Sequence, residues 1–350
     1  MNHRFKKIIS TFQSNHIDAL LVVKEVNVSY LTQFSSSESW LLVTAHKAFY
    51  VTDARYILEA KQGLMDVEVR EFKKSFYETL FDIAGQQKIR KLGFDGQHIT
   101  LAQFKTLQKS CPKSIKLIET NSLVENLREV KEKEEIVLIK KALKVHQEAY
   151  QFLHKIIKPG LTEKKVLFKL QDFVREQGVG FSFSPIIASG PNSCFPHAKV
   201  TDRRIRNNEP VLVDFGIDVS GYKSDLTRMF FLGKIPQLIK DACDAVRDAQ
   251  RRAIKGIKAG KSVAEIDQLA RNYLSTKDLA KYFGHALGHG VGLEIHESPR
   301  LSQKSSAVLK DGMVITVEPA VYIPHQFGIR IEDMVLVTKE GKKVLSGNID

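Results

Sequence analysis

The sequence predicts an α/β protein of two domains, a smaller α/β unit over residues 1–127 and a larger unit over residues 128–350. Three observations support this division. Short apolar runs of strand type alternate with helical segments in the first part. A long amphipathic helix opens the second part, and its pattern recurs 100 positions later. The second part also contains apolar strands that carry carboxylates. A chain of 350 residues is long enough for two hydrophobic cores.

The composition is that of an ordinary globular protein, with 43% hydrophobic and 27% charged residues. The net charge of +13 is diffuse, since 17 basic and 12 acidic residues already lie within the first 124 positions. Nucleic-acid binding usually concentrates basic residues on one face or tail, so we expect no nucleic-acid partner. No apolar run approaches the length of a membrane span, so we expect no membrane association.

The cysteines indicate a reducing compartment. Cys111, Cys194 and Cys243 are odd in number, widely spaced and without a CxxC pair. Polar residues, among them Gln13 and Asp18, interrupt any signal-peptide core near the N-terminus. We therefore expect a cytoplasmic protein.

Each element of the first unit follows from its local pattern. Apolar runs at 19–23, 40–43 and 48–51 predict strands, and the segments 53–63 and 101–110 predict helices.

The second unit opens with the clearest helix of the chain, over residues 128–158. One apolar stripe at spacings of three and four runs along it, through Ile136, Ile139, Leu143, His146, Tyr150 and Leu153. Residues 131–135 are expected to form a solvated first turn, and Pro159 with Gly160 ends the helix. His146 lies on the stripe and is expected to be a packed core histidine.

An internal repeat follows from residues that recur at an offset of 100. The matched positions are Ala142 and Ala149 with Ala242 and Ala249, and Ile157, Lys158 and Gly160 with Ile257, Lys258 and Gly260. Thr162 and Ser262 are the matching N-cap candidates, and residues 262–265 form a capping-box pattern. The repeat predicts pseudo-two-fold symmetry. The alternative is a chance likeness between two amphipathic helices.

Five potential metal ligands lie in apolar or glycine-rich settings. Asp214 and Asp225 belong to the segment 211–228, which is expected to form two strands with a short connection. A carboxylate inside an apolar strand is costly to bury unless it is paired or holds a metal. His289, Glu318 and Glu332 have similar surroundings, which suggests that all five meet.

Four carboxylates and one imidazole form an oxygen-rich donor set that suits Mn²⁺ or Co²⁺ better than a thiolate site does. Without metal the carboxylates would repel one another and their pKa values would split. Two divalent ions roughly 3.5–4 Å apart would neutralise them and could share a water that ionises near neutral pH.

The surroundings of these ligands add two expectations. Residues 285–289 superficially resemble a zinc-protease helix motif, but the Glu after the first His is missing and the many glycines make a regular helix improbable. Those glycines suit a backbone that passes close to a ligand. Residues 328–337 read as one strand that places Arg330 and Glu332 on one face, so Arg330 can pair with a ligand carboxylate.

These segments carry a family resemblance. Val213-Asp214-Phe-Gly, Ser224-Asp225-Leu-Thr-Arg228, the segment 284–299, Thr316-Val-Glu318-Pro and Arg330-Ile-Glu332-Asp resemble the pita-bread dinuclear metallopeptidases, most closely the Xaa-Pro peptidases aminopeptidase P and prolidase. The resemblance implies a C-terminal pita-bread (creatinase/aminopeptidase) fold and a creatinase-like N-terminal domain. After Pro319 the family usually has Gly-Ile-Tyr where this chain has Ala320-Val321-Tyr322, a departure that affects packing rather than ligation.

The resemblance also implies roles for the ligands. Asp214 would hold one metal, His289 and Glu318 the other, and Asp225 and Glu332 would bridge the two. The cofactors would be two divalent ions, Mn²⁺ first, with Co²⁺ or Zn²⁺ possible. Glu318 would also act as general base.

Other side chains would face the substrate. The resemblance makes His296 the ligand of the substrate carbonyl and oxyanion, and His197 a proton-handling or positioning residue. His285 would touch substrate or support the ligands, and Arg300 would meet a substrate carboxylate or lie on the surface. Phe183, Phe195 and Tyr222 would form an apolar wall for a proline ring or pack in the core.

The expected activity is hydrolysis of the Xaa-Pro bond, at the N-terminus of peptides or in dipeptides, by a hydroxide shared between the two metals. Proline-containing peptides are the expected substrates, and a homodimer is expected because relatives often form one. Two alternatives are a methionine aminopeptidase-like activity, which uses the same ligands, and a non-catalytic peptide-binding protein on the same fold.

Overall fold

The computed structural model describes residues 2–35 and 37–347. The chain divides into two compact units between Arg128 and Glu129. Among the described residues, no helix combines the length and the apolar character needed to cross a membrane.

The first unit is a six-stranded mixed sheet with helices. Its elements are α1 His3–Ile9, β1 Ala19–Val22, α2 Glu25–Thr32, β2 Ser39–Thr44, β3 Ala48–Thr52, α3 Ile57–Gly63, β4 Glu68–Glu71, α4 Phe76–Gln86, β5 Lys91–Asp95, α5 Leu101–Ser110, β6 Lys116–Thr120 and α6 Leu123–Arg128. The strand order is β4-β3-β2-β1-β5-β6. The three predicted strands and both predicted helices are confirmed, although α3 begins four residues later than expected.

The helices of the second unit come in two matching pairs. These are α7 Lys133–Ile156 with α8 Glu163–Glu176, and α9 Gln237–Gly256 with α10 Val263–Ser275. Gly160 (φ +92°) and Gly260 (φ +87°) make the same left-handed turn between the helices of each pair. The amide of Gly160 donates to Ile205 O at 2.9 Å, and that of Gly260 donates to Leu309 O at 2.8 Å. The repeat is therefore visible in the backbone hydrogen bonds.

The caps of this repeat differ in one detail. Thr162 accepts a hydrogen bond from the Lys165 amide at 3.1 Å, whereas Ser262 occupies the N-cap position without a side-chain cap bond. The predicted capping box at 262–265 is therefore wrong.

The strands of the second unit form several small sheets. They are β7 Gly180–Phe181, β8 Ile186–Ser189, β9 Pro210–Phe215, β10 Ile217–Val219, β11 Tyr222–Lys223, β12 Leu226–Phe231, β13 Gly288–Gly290, β14 Glu297–Leu301, β15 Val314–Val317, β16 Ala320–Ile323, β17 Phe327–Arg330, β18 Asp333–Thr338 and β19 Gly341–Val344, with 3₁₀ turns at Gly190–Cys194 and Ala280–Tyr282. The orders are β12-β9-β8, β11-β10-β7, β14-β13-β15-β18-β19 and β16-β17.

Two predicted strand segments are subdivided. In 211–228, β9 and β12 pair antiparallel, but the chain between them forms β10 and β11, which belong to another sheet. Residues 328–337 are not one strand, because the chain leaves β17 after Arg330 and enters a different sheet at Asp333. Glu332 lies in that break.

The start of the long helix also differs from expectation. It begins at Lys133, and Lys131 is not solvated, because its ammonium group lies 2.9 Å from the Glu297 carboxylate with 1% of the side chain exposed. Glu135 is likewise buried. His146 is fully buried, with Nδ1 3.0 Å from Ser224 Oγ and its ring stacked on Tyr150, which confirms it as a core histidine.

Candidate metal centre and active site

The five predicted ligands lie at neighbouring strand positions of the second unit. Asp214 is the penultimate residue of β9 and pairs with Thr227 in β12, and Asp225 immediately precedes β12. Glu318 follows β15 and Glu332 precedes β18, two strands that pair Val317 with Asp333. These two pairs of strands belong to different sheets, and the Glu332 amide joins them by donating to Thr227 O at 3.2 Å.

His289 joins the carboxylates from the middle of β13. Its Nε2 lies 3.6 Å from Asp225 Oδ2 and 3.4 Å from Glu318 Oε1. Ligand atoms of Asp225, His289 and Glu332 all lie within 4.8 Å of one another. Asp214 Oδ1 is buried and has no hydrogen-bond partner among the described residues. A buried carboxylate oxygen without a partner is costly, so this donor set fits bound cations.

The hydrogen bonds of His289 suit metal ligation. Its Nδ1 lies 3.1 Å from the Gly290 carbonyl, which only accepts, so Nδ1 carries the proton and Nε2 presents a lone pair to Asp225 and Glu318. Burial lowers the pKa of His289 to about 4, which keeps the ring neutral at pH 7.

Without metal, burial and mutual repulsion disfavour the charged carboxylates. Desolvation by burial raises the pKa of Glu318 to about 8, with the Asp214 charge adding to the shift. The pKa values of Asp225 and Glu332 are also raised, by burial first and then by the neighbouring carboxylates. Only added positive charge lets all of these groups ionise together.

Arg330 supplies part of that charge and ties the site together. Its guanidinium donates to Asp214 Oδ2 at 2.5 Å, as the expected pair with a ligand requires. Its Nε donates to Thr227 Oγ1 at 2.9 Å, and Thr227 in turn donates to Glu332 Oε2 at 2.8 Å. Arg330 therefore reaches Glu332 through Thr227 rather than directly.

The glycines around His289 serve close strand packing. A Cβ on Gly288 would lie 2.1 Å from Thr316 O, and one on Gly290 would lie 2.2 Å from Ser298 O. The backbone there passes close to neighbouring strands, and Gly288 also lines the cavity described below. As predicted, residues 285–289 are not a helix.

The ligands lie in the wall of a cavity of about 1030 Å³, which the second unit forms by itself. Its apolar wall includes Phe183, Pro185 and Ile186. The predicted polar residues that also line it are His197, His285, His296 and Arg300. This volume is ample for a short peptide.

The three histidines differ in their surroundings. His296 is exposed to the cavity, with its ring centroid 4.4 Å from that of His289, and desolvation by burial, followed by the nearby His197 and Arg300, lowers its pKa. His197 is exposed on the loop that follows the 3₁₀ turn.

His285 is more constrained. Its Nδ1 lies 2.8 Å from the Ala286 carbonyl, and its Nε2 lies 3.3 Å from the Tyr322 hydroxyl. That hydroxyl accepts a hydrogen bond from Arg330 at 2.5 Å, so it donates to His285. His285 is thus held by Arg330 through Tyr322.

Two aromatic residues that were expected to form an apolar wall for a proline ring do not line the cavity. Tyr222 is not among the residues that line the cavity, because its side chain is buried and its hydroxyl donates to Glu135 at 2.8 Å. Its expected substrate contact is therefore wrong. Phe195 is 58% exposed and also does not line the cavity, whereas Phe183 does.

Sequence reasoning missed Thr227 and Tyr322, whose hydroxyls link Arg330 to its neighbours. A signal for Thr227 was present, since it lies two positions after Asp225 and therefore shares its face of the strand. Tyr322 gave no signal, because tyrosine is common in strands.

A further group of potential ligands lies in the first unit, at Asp95, His98 and Glu125. There the Glu125 carboxylate already contacts Asn27 Nδ2 at 2.6 Å, His98 Nε2 at 2.7 Å and Lys24 Nζ at 3.7 Å. All three contacts fall on Oε1, whereas Oε2 is buried without a hydrogen-bond partner among the described residues. Both oxygens of Asp95 already accept backbone amides, from Gln97 at 2.9 Å and from Ser122 at 3.1 Å, so we assign the group to an ion-pair and hydrogen-bond network.

Comparison with known proteins agrees with the fold. Residues 4–130 match the creatinase/prolidase N-terminal domain, and residues 137–339 match metallopeptidase family M24. A Xaa-Pro dipeptidase of Pyrococcus horikoshii is 35% identical over 352 residues, covering 99% of this chain and 97% of the relative.

Solved structures give the same result. A Xaa-Pro dipeptidase from Bacillus anthracis superposes with a TM-score of 0.95 at 34% identity, covering 98% of this chain and 97% of that chain. An X-Pro aminopeptidase from Thermotoga maritima superposes with a TM-score of 0.89 at 32% identity, covering 96% and 97%. The predicted fold, with a creatinase-like domain before a pita-bread domain, is confirmed, and the chain belongs to metallopeptidase family M24.

Proposed function

We propose that this protein is a metal-dependent exopeptidase that hydrolyses the bond between an N-terminal residue and a following proline. The observation that carries the proposal is the convergence of Asp214, Asp225, His289, Glu318 and Glu332 on one wall of the cavity. The names of the relatives, which are Xaa-Pro dipeptidases and an X-Pro aminopeptidase, support the substrate class.

The five ligands would hold two divalent ions. Asp214 would bind one ion, His289 and Glu318 the other, and Asp225 and Glu332 would bridge them. The hard, oxygen-rich donor set favours Mn²⁺, followed by Co²⁺. When bound, the ions supply positive charge that polarises the substrate carbonyl and makes water more acidic.

The residues of the chain would then position the reactants and move the protons. Glu318 lies in the cavity wall, where its carboxylate can exchange a proton with water or substrate. It would take the proton of the attacking water and pass it to the proline nitrogen that leaves. Arg330 and Thr227 would hold the ligand carboxylates in place for this step.

The cavity histidines would bind the substrate. His296 is exposed to the cavity, and its lowered pKa keeps it neutral, so it can donate one hydrogen bond to the oxyanion. His197 would position the substrate from the loop that follows the 3₁₀ turn, and Phe183 would contact the proline ring. Arg300 would meet a free substrate carboxylate where one is present.

Replacing His296 with alanine should lower kcat about 100-fold, because one oxyanion donor is lost. Both metals should remain, since His296 is not a ligand. Activity and metal content of the same preparation measure this. His154→Ala is the matched control, because His154 is an exposed histidine of α7 outside the cavity. Near-normal turnover of His296→Ala would contradict the role of His296 as a hydrogen-bond donor to the oxyanion.

A comparison of three peptide substrates tests the proposed function itself. With Mn²⁺ or Co²⁺, kcat/KM for Ala-Pro and Ala-Pro-Ala should exceed that for Met-Ala-Ala by at least about tenfold, as differential pocket contacts allow. Preference for Met-Ala-Ala would favour the methionine aminopeptidase alternative. A protein that binds these peptides without cleaving them, and without bound metal, would favour the non-catalytic alternative. The ratio between Ala-Pro and Ala-Pro-Ala separates dipeptidase from aminopeptidase activity.

Two further properties belong to the proposal. The described cysteines are unpaired, which supports a cytoplasmic location. We also propose a homodimer, as the family resemblance implies, and light scattering of the purified protein tests it.

A further inference from the structure

Glu163 is a fully buried carboxylate that no part of the proposed reaction uses. It lies at the first position of α8, and its side chain accepts five hydrogen bonds. Its Oε1 accepts from the amide and hydroxyl of Ser189, at 2.7 and 2.8 Å, and that hydroxyl accepts in turn from Arg203 at 2.7 Å, which leaves its proton for Glu163. Its Oε2 accepts from Asn192 Nδ2 at 2.9 Å and from the amide and hydroxyl of Thr201, at 3.0 and 2.6 Å. This is a dense set of donors around one carboxylate.

These donors lie on both sides of the loop that carries His197. Ser189 and Asn192 precede that loop, and Thr201 follows it. Asn192 closes the loop further, because the same Nδ2 donates to Lys199 O at 3.1 Å. Glu163 therefore joins the two ends of a segment whose middle is His197.

The middle of the loop is attached to the metal ligands by another contact. Arg330 donates to Pro196 O at 3.1 Å, and the same guanidinium donates to Asp214 Oδ2. His197 thus lies between an anchor at Glu163 and an anchor at Arg330. Because His197 itself is exposed, its position relative to the ligands depends on such contacts of its loop, to which Ser193 adds by accepting from the Gly328 amide at 2.8 Å.

We propose that Glu163 is a positioning residue that fixes the His197 loop, and thereby His197, against the metal centre. The inference rests on the proposed substrate role of His197. A carboxylate is required because all five partners donate. A glutamine would offer one acceptor oxygen and turn its amide protons towards groups that also donate.

A double-mutant cycle tests the proposal, with Glu163→Gln, His197→Ala and the double variant assayed on Ala-Pro with Mn²⁺. Glu163→Gln should lower kcat/KM by about 100-fold, as expected for a misplaced substrate-binding group, with both metal ions retained. In the double variant the effect should disappear, so that it is no slower than His197→Ala within about twofold. A general loss of structure would instead lower the activity of every background equally.

Asp172→Asn is the matched control, because Asp172 is an exposed acid of the same helix, paired with Arg175. If Glu163→Gln does not fold, Thr201→Val takes its place in the cycle, since it removes one donor and keeps the Thr201 amide; about a fivefold loss is expected.

Three results for the variants that carry Glu163→Gln would overturn the proposal. They are near-normal activity of Glu163→Gln, loss of metal from it, or a double variant slowed by the product of the two single effects. Normal activity of the His197→Ala variant would also overturn it, because Glu163→Gln could then not act through His197. Ala-Pro hydrolysis by the unmodified protein would still stand in each case, so the failure would not extend to the proposed function.

Discussion

Replacing Asp225 with asparagine is expected to lower kcat/KM for Ala-Pro by a factor on the order of a thousand or more. In the proposed site Asp225 would help to hold both ions, and an amide brings neither the charge nor a second strong acceptor. Asp225 is also the carboxylate that lies close to both His289 and Glu332. Its loss should remove at least one ion, and Glu332→Gln should act in the same way.

Asp218→Asn is the control for this variant. Asp218 lies seven positions earlier and pairs with Lys223 at 2.5 Å, so the substitution removes the same charge without touching the cavity. It should keep activity and metal content. An Asp225→Asn protein that retains two ions and normal turnover would contradict the assigned bridge.

Removing the metal is expected to destabilise the protein much more at pH 8 than at pH 5. In the metal-free fold, burial raises the pKa of Glu318 from 4.5 to about 8, and the pKa values of Asp225 and Glu332 are raised for the same reason. Between pH 4.5 and about pH 8, Glu318 therefore binds more protons in the metal-free folded state than in the unfolded state.

The sign of the effect follows from this difference. Stability falls as pH rises wherever the folded state binds more protons than the unfolded state. The contribution of Glu318 to the stability of the metal-free protein is therefore greatest below pH 4.5 and is lost completely above about pH 8. Bound cations favour the ionised carboxylates and cancel this loss. A few kcal/mol of unfolding free energy is involved, because one pKa unit corresponds to about 1.4 kcal/mol.

Thermal unfolding with EDTA and with Mn²⁺, at pH 5 and pH 8, measures the effect. The difference in Tm between the two conditions should be several degrees larger at pH 8. Glu318→Gln should flatten the pH dependence of the metal-free protein, since it removes one titrating group. A difference in Tm between the two conditions that is no larger at pH 8 than at pH 5 would contradict the convergence of these carboxylates.

The sequence predicted most of the fold because its strands and helices have clear periodicity. The apolar stripe of α7 and the repeated turns at Gly160 and Gly260 can be seen without any tertiary information. The errors came from long-range partners. Lys131 looks like a solvated charge until Glu297, 166 positions away, is seen to pair with it.

The candidate site shows the same division between local patterns, which the sequence reveals, and long-range contacts, which it does not. The five ligands were found because charged residues in apolar strands need a reason to be buried. The strand break at Glu332 was missed because the apolar pattern continues on both sides while the chain changes sheets. Tyr222 was misplaced because an aromatic residue near Asp225 does not reveal which side of the strand it packs on, and its hydroxyl goes to Glu135.

The most direct test of the whole account is a crystal structure of the protein with Mn²⁺, recorded at the manganese absorption edge. The account predicts two anomalous peaks, both contacted by Asp225 and Glu332, with Asp214 on one and His289 and Glu318 on the other. A single peak, or a peak that leaves any of these five side chains without a metal contact, would contradict it.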